Sequence, residues 1–190
     1  MTAQLYPVFL RLEDRRVVLV GGGRVAASKL PALHDGGARV TVVAPEIRNE
    51  LHRPGVTLVR RAFKPADLDG AFFVIAAATP DVNRAVAAAA AERGLFVNAV
   101  DDAQNASAYL GGVVRRGGVT VAIGTGGRAP ALAGLLREAL EELLPDDLET
   151  WVSLGEHLRK PWKERGIAIG ERRPLLLRAL QELYASREAP

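Results

Sequence analysis

Val17-Val18-Leu19-Val20-Gly21-Gly22-Gly23-Arg24-Val25-Ala26 is the stretch of sequence that decides the fold. An apolar, β-branched run passes directly into glycines spaced as Gly21-x-Gly23-x-x-Ala26, and an amphipathic helical pattern follows. Gly21 permits a tight strand-to-helix turn, Gly23 lets the backbone approach a pyrophosphate, and the small Ala26 lets the helix pack against the sheet. The free N–H groups at the start of that helix favour phosphate, whereas a glycine-rich turn without a ligand would need neither flanking element. The stretch therefore predicts a dinucleotide site at the turn that contains Gly21 and Gly23.

The composition is that of a globular protein, with 48% hydrophobic and 25% charged residues in a chain of 190. No apolar run is long enough for a membrane span, and the first residues do not resemble a secretory signal, so we expect neither. The chain has no cysteine, which excludes disulfides, thiolate metal sites and a cysteine nucleophile and fits a cytoplasmic protein. A net charge of only +3 gives no reason to expect a nucleic-acid partner.

Apolar runs and helical patterns alternate through the first hundred residues. Strands are predicted over residues 16–20, 39–43, 56–59, 71–77 and 95–100, and helices over residues 25–35 and 80–93. The strand at 71–77 is continuously apolar, which is typical of burial on both faces. Alternation with short turns predicts an α/β, Rossmann-like fold with a doubly wound parallel sheet.

The pattern changes after Asp102. A polar, irregular segment precedes a strand at 119–123, a second glycine turn at 124–127 and a leucine-rich helix from Pro130 to Pro145. Two more helices are predicted over residues 148–164 and 173–186.

Several catalytic motifs are absent from the sequence. No tyrosine is followed by the lysine of short-chain dehydrogenases, and there is no Gly-x-Ser-x-Gly or Walker motif. His34, His52 and His157 lie in three separate segments, so no metal site is expected.

Polar residues follow the strand at 71–77, where ligands bind in a doubly wound sheet. Thr79 is a candidate for cofactor binding there, with Asp81 and Asn83 close behind. Thr79 and Asp81 equally suit the cap of the next helix, and the two roles are compatible.

Asn98-Ala99-Val100-Asp101-Asp102 ends the next strand in two adjacent carboxylates. One of them alone could cap a helix. Two side by side resist ionising together, which suits proton transfer beside a cofactor. Asp101 lies nearer to the strand end and is the favoured base.

The turn Gly124-Thr125-Gly126-Gly127-Arg128 offers N–H groups, a hydroxyl and a guanidinium to an anion. With Arg115 and Arg116 nearby in sequence, it could hold an acidic substrate. The alternative for the two arginines is a solvated basic loop.

Together these motifs resemble the precorrin-2 dehydrogenase and sirohydrochlorin ferrochelatase family, which includes the N-terminal module of siroheme synthases. The resemblance runs from about residue 5 to 145. It rests on Tyr6-Pro7-Val8-Phe9-Leu10, the first glycine turn, Lys29, the strand ending in Asp101, and the segment from Thr125 to Ala133.

The resemblance implies NAD-dependent oxidation of precorrin-2 to sirohydrochlorin and, in some members, insertion of ferrous iron to give siroheme. It assigns Asp101 as the catalytic residue, Gly21 to Val25 as dinucleotide ligands, Pro45 and Glu46 as ribose contacts, and Thr125 as part of the tetrapyrrole pocket. With Gly126, Arg128, Arg115 and Arg116, that pocket would suit the substrate's many carboxylates.

The implied organisation is an NAD-binding Rossmann domain over residues 1–112, a dimerisation and substrate region over 113–145, and a helical C-terminal domain over 146–190, in a homodimer. We expect no methyltransferase module and hence no methylation of uroporphyrinogen.

The chain departs from the family pattern at two places. Residues 107–112 replace a Phe/Pro-rich segment, and Val43 and Ala44 end the second strand where an acidic residue usually discriminates NAD from NADP, with Arg48 close behind. Two other functions remain as alternatives: a non-catalytic NAD-sensing module that regulates a partner, and an NADP-dependent reductase of a small acid.

Overall fold

A computed structural model of the chain describes residues 4–188. It divides into two compact units. The first holds the residues up to Leu110 together with Gly126–Arg128, and the second holds Gly111–Thr125 and the residues from Ala129 onward. The three-part division expected from the family resemblance stays a prediction.

The first unit is a parallel sheet with helices on both faces. Its elements are β1 (Arg16–Val20), α1 (Arg24–Asp35), β2 (Arg39–Val43), β3 (Thr57–Val59), β4 (Phe73–Ala76), α2 (Pro80–Glu92) and β5 (Phe96–Ala99), with short 3-10 helices at Asn49–Leu51 and Pro65–Leu68. The strand order is β3-β2-β1-β4-β5, and every pairing is parallel. This topology confirms the predicted Rossmann-like fold.

The hydrophobic core of this unit lies on both faces of the sheet. Successive residues of β1 point to opposite faces, so Val17 and Leu19 belong to the cluster under α1, whereas Val18 and Val20 belong to the cluster under α2. All four residues of β4 are buried, as the continuous apolar run predicts.

Because α1 and α2 leave β1 and β4 toward opposite faces, the loops after these neighbouring strands diverge. A crevice therefore opens at the carboxyl edge of the sheet, at the topological switch point.

The second unit consists of a hairpin and three helices: β6 (Gly112–Arg116), β7 (Val119–Ile123), α3 (Pro130–Leu143), α4 (Leu148–Glu164) and α5 (Ile169–Glu188). β6 and β7 pair antiparallel around Gly117 and Gly118, whose φ angles of 52° and 78° suit a two-residue hairpin turn. The sequence analysis did not predict β6. The interpretation of Arg115 and Arg116 as a solvated loop is therefore wrong, because both lie in a strand.

In the described part of the chain, none of the helices combines the length and the apolar character that crossing a bilayer requires.

Candidate functional site

Gly21 makes the sharp turn between β1 and α1. Its φ of 131° is open only to glycine, and an added Cβ would lie 2.7 Å from the carbonyl carbon of Ala77. Its N–H donates to the Val43 carbonyl at 3.0 Å. The turn is thus held between the ends of β2 and β4.

Gly22 is required for a different reason, which the glycine spacing did not indicate. A Cβ at this position would lie 2.8 Å from the carbonyl carbon of Glu46 and 3.0 Å from the Ala44 Cβ. The Arg48 N–H also donates to the Gly22 carbonyl at 3.0 Å. The loop after β2, with the predicted ribose contacts Pro45 and Glu46, therefore packs against the glycine turn.

Gly23 faces open space, because no atom lies within 4 Å of an added Cβ. It is the N-cap of α1, and no side chain caps that end of the helix. Ala26 is completely buried against the sheet, as predicted for close helix packing. An uncapped helix start beside an open glycine fits a dinucleotide pyrophosphate, with Arg24 and Val25 exposed around it.

A cavity of about 460 Å³ opens at the carboxyl edge of the sheet. Its walls come from the start of α1, the loop after β4, the first turn of α2 and the loop after β5. The lining residues are Val25, Ala77, Ala78, Pro80, Asn83, Arg84, Val100, Asp101, Asp102, Gln104 and Asn105. Asp101 therefore lines the same crevice as the start of the glycine-turn helix.

Asp101 occupies a strained position in this wall. A turn closes where the Asp102 N–H donates to the Ala99 carbonyl at 3.4 Å, and Asp101, its third residue, has a φ of 57°. That corner normally takes glycine or asparagine. The Asp101 side chain is exposed, and no described residue forms a hydrogen bond or ion pair with its carboxylate.

Asp102 has a different environment. Its carboxylate accepts the Asn105 N–H at 3.2 Å and the Asn105 side-chain amide at 2.7 Å. Asp102 therefore fixes the loop, whereas the Asp101 carboxylate is left available to a ligand in the cavity. This difference favours Asp101 as the base.

Asn83 joins the two loops that form the back of the cavity. It is 4% exposed, and its side-chain oxygen accepts the Ala78 N–H at 2.9 Å. Its amide donates to the Val100 carbonyl at 3.4 Å. Asn83 thus holds the residue before Asp101 at a set distance from the end of β4.

Thr79 is the N-cap residue of α2, but its side chain makes no capping hydrogen bond. It is exposed, and it is not one of the residues that line the cavity. Asp81 pairs with Arg84 one turn later. Arg84 lines the cavity one helical turn after Pro80, and sequence reasoning missed it because its charge was not considered with the strand end.

The comparisons with known proteins identify the dinucleotide domain. Residues 8–112 match the model of a family described as "Putative NAD(P)-binding", which is more than half of the chain. The chain belongs to this family.

The siroheme synthases are similar to almost the whole chain. Siroheme synthase 1 of Aeromonas salmonicida is 41% identical over 179 residues, which are 92% of this chain and 38% of the relative. Siroheme synthase 1 of Yersinia enterocolitica is 40% identical over 185 residues, or 95% of this chain and 39% of the relative. The predicted family resemblance is confirmed. The chain spans about two fifths of the length of these curated relatives.

A solved structure described as "SirC, precorrin-2 dehydrogenase" has the same fold. Its TM-score is 0.72 at 23% sequence identity, and the match covers 92% of this chain and 88% of that one.

The region matched by the NAD(P)-binding family ends in the segment that departs from the predicted pattern. Ser107 accepts the Val97 N–H at 2.9 Å, and the Asn98 side chain donates to the Ala108 carbonyl at 3.0 Å. This segment covers the outer edge of β5. Asn98 therefore supports the strand that leads to Asp101 and does not itself line the cavity.

The predicted anion-binding turn is divided between the two units. Gly126 and Gly127 have φ angles of 63° and 74°, and a Cβ on Gly127 would lie 3.1 Å from that of Ala103. Arg128 belongs to the same unit. Thr125 belongs to the second unit, where its hydroxyl accepts the Ala129 N–H at 3.3 Å. That these residues bind substrate stays a prediction.

The two arginines of β6 differ in their surroundings. Arg116 donates to the Leu144 carbonyl and lies 3.2 Å from the Asp146 carboxylate. Arg115 is exposed and pairs with Thr120 across the hairpin. Arg116 is thus engaged within the second unit, and the substrate role of both stays a prediction.

No group of three or more histidine, cysteine, aspartate or glutamate side chains that could hold a metal ion occurs among residues 4–185.

Proposed function

We propose that this chain catalyses the NAD-dependent dehydrogenation of precorrin-2 to sirohydrochlorin. The observation that carries the proposal is the Asp101 carboxylate, which has no protein partner in the described structure and lines the crevice beside the glycine turn. The 40–41% identity to siroheme synthases supports the choice of substrate.

The chain's own residues would hold the cofactor and receive a proton. The first turn of α1 binds the pyrophosphate, and the loop with Pro45 and Glu46 lies next to it for the ribose. Bound there, NAD supplies a hydride acceptor that takes both electrons of one substrate C–H bond. Asp101 takes the proton from a neighbouring C–H or N–H, and the electrons of that second bond form the new double bond.

Arg84 gives the cavity a group that suits this substrate. Precorrin-2 carries acetate and propionate groups, and guanidinium binds carboxylate with two parallel hydrogen bonds. The side chain of Arg84 is 57% exposed, and its described ion-pair partner, Asp81, is itself exposed. A substrate carboxylate can therefore replace Asp81 at little cost.

A non-catalytic sensor of NAD is the alternative. A sensor needs the glycine turn but has no use for an exposed carboxylate held in a strained turn beside it. The unpaired Asp101 therefore favours the enzyme.

The test is anaerobic incubation with precorrin-2 and NAD, followed by absorbance of NADH and of the oxidised macrocycle. We expect stoichiometric formation of both with the wild type, and loss of most turnover in Asp101→Asn with NADH affinity retained. Asp102→Asn is the matched control, because it also removes one carboxylate from the same turn yet can still accept from Asn105. Binding of NADH without turnover in the wild type would support the sensor instead.

We also propose that ferrous ion is a second substrate. The macrocycle brings four nitrogen ligands, so insertion needs no protein metal site, and Asp101 could accept the pyrrole protons that leave. Sirohydrochlorin and ferrous ion, without NAD, should then give siroheme in the wild type and much less in Asp101→Asn. Rates in both proteins that equal the rate without protein would show that this chain does not insert iron.

Finally, we propose a homodimer that forms through α3. One face of this helix exposes four leucines, Leu132, Leu135, Leu136 and Leu143, of which Leu143 is 76% exposed. An apolar face of this kind is typical of a subunit contact. Sedimentation should show a dimer in the wild type and a monomer in Leu135→Glu, and a wild-type monomer would contradict the proposal.

A further inference from the structure

The loop after β2 contains residues that can select between NAD and NADP. Rossmann domains that use NAD commonly end β2 in an acidic residue for the ribose hydroxyls, and those that use NADP place an arginine nearby for the 2′-phosphate. Here β2 ends at Val43, followed by Ala44, and the first basic residue after it is Arg48. The strand end alone therefore predicts a site that accepts NADP.

The structure brings this loop against the cofactor turn. The Glu46 carbonyl packs on the α-carbon of Gly22, and the Arg48 N–H donates to the Gly22 carbonyl at 3.0 Å. The 3-10 helix Asn49–Leu51 begins directly after Arg48. Arg48 and Glu50 are thus anchored at the side of the glycine turn where the adenosine ribose of a Rossmann cofactor lies.

Glu50 holds the arginine of this loop. One carboxylate oxygen accepts from Nη2 of Arg48 at 2.7 Å and from Nε at 3.1 Å. The hydrogen bond from Arg48 lowers the pKa of Glu50, and the positive charge of Arg24 on α1 lowers it further.

We propose that Glu50 makes this site select NAD over NADP. It occupies the guanidinium that would bind a 2′-phosphate, and its own negative charge repels that phosphate. The inference rests on the proposed dinucleotide site and adds the residue that determines its specificity.

Glu50 can act in two ways, by pairing with Arg48 and by repelling the 2′-phosphate. The Arg48–Glu50 pair is exposed, with side chains 49% and 55% accessible, and solvent screens such pairs strongly. A 2′-phosphate could therefore break the pair, but it cannot escape the carboxylate charge beside it. Repulsion of the wrong cofactor supplies most of the discrimination.

The experiment measures the affinity of NADH and NADPH by fluorescence titration, so it needs no tetrapyrrole. We expect the wild type to prefer NADH. Glu50→Gln should change the ratio of the two dissociation constants at least tenfold toward NADPH, about 1.4 kcal/mol, chiefly by tighter NADPH binding. Glu92→Gln is the matched control, because it also removes one exposed carboxylate but lies in the last turn of α2, at the opposite edge of the sheet.

A second variant separates the attraction from the repulsion. Adding Arg48→Gln to Glu50→Gln should cancel only the smaller part of the gain in NADPH affinity, because the released guanidinium is then missing while the repulsion stays removed. A ratio within twofold of the wild type in Glu50→Gln, with NADH still bound, would overturn this inference and leave the proposed function standing. Failure of the wild type to bind either cofactor would overturn both.

Discussion

Asp101 combines a proposed chemical role with an unfavourable backbone conformation, so substitutions there should separate activity from stability. The left-handed region costs an ordinary L-residue about 1–2 kcal/mol, and aspartate and asparagine tolerate it better than most. Asp101 has a φ of 57°. Alanine has neither the polar side chain that helps asparagine in this conformation nor the freedom of glycine.

The magnitude follows from these terms. Asp101→Gly removes the strain but loses about 0.5–1 kcal/mol to the greater entropy of the unfolded chain, so its net stability should stay within about 0.5 kcal/mol of the wild type. Asp101→Ala keeps the strain and should be about 1 kcal/mol less stable than Asp101→Gly. In a chain of this length that difference corresponds to about 2–4 °C in Tm.

Thermal and urea unfolding would measure the order, and the precorrin-2 assay would measure turnover of the same preparations. We expect Asp101→Asn to be at least as stable as the wild type, and all three variants to lose most turnover. Equal stability of the alanine and glycine variants would show that the turn does not hold the left-handed conformation. Normal turnover by the glycine variant would show that the carboxylate is not the base.

Three further substitutions test contacts within the first unit. Gly22→Ala should lower Tm and weaken NADH binding together, because its Cβ meets the Glu46 carbonyl, and a stable variant would contradict the packing seen here. Asn83→Ala leaves two polar backbone groups without their partner and should cost about 1–3 kcal/mol of unfolding free energy, with kcat falling more than NADH affinity; an effect on stability alone would mean that Asn83 does not position Asp101. The hydrogen bond from Arg61 lowers the pKa of Asp67 in the folded protein. The pair therefore stabilises the fold at pH values above the unfolded pKa of aspartate, about 3.9. This contribution is lost as the pH falls through the pKa of the folded state. Asp67→Asn should therefore reduce stability at neutral pH and make it less sensitive to acid, as urea titrations at several pH values would show.

The sequence predicts the parts of this fold that depend on local pattern. β1, the glycine turn and α1 follow from apolar periodicity and glycine spacing, and the observed helix begins at Arg24, one residue from its predicted start. The strand predicted at 119–123 is β7, but its partner β6 was missed, although Gly117-Gly118 is a two-residue turn signal, because Arg115 and Arg116 were interpreted by their charge alone.

The candidate site is less accessible to sequence reasoning, because its chemistry depends on which groups already have partners. Two adjacent aspartates look equivalent in the chain. Only the contacts of Asn105 distinguish Asp102 from Asp101. The need for glycine at position 22 likewise comes from a loop more than twenty residues away.

Asp101 keeps its left-handed backbone conformation because the residues on both sides of it are fixed. On one side the Val100 N–H donates to the Ala76 carbonyl at 2.9 Å, so the turn starts from the sheet itself. On the other side Asp102 is bound by Asn105, which prevents the chain from relaxing into a wider loop. The backbone that carries the Asp101 carboxylate is therefore fixed at the wall of the crevice before any ligand arrives. Asn105→Ala, which leaves Asp101 itself unchanged, should therefore reduce turnover. The effect should be largest on kcat, because the substitution disturbs the orientation of the Asp101 carboxylate and not its charge.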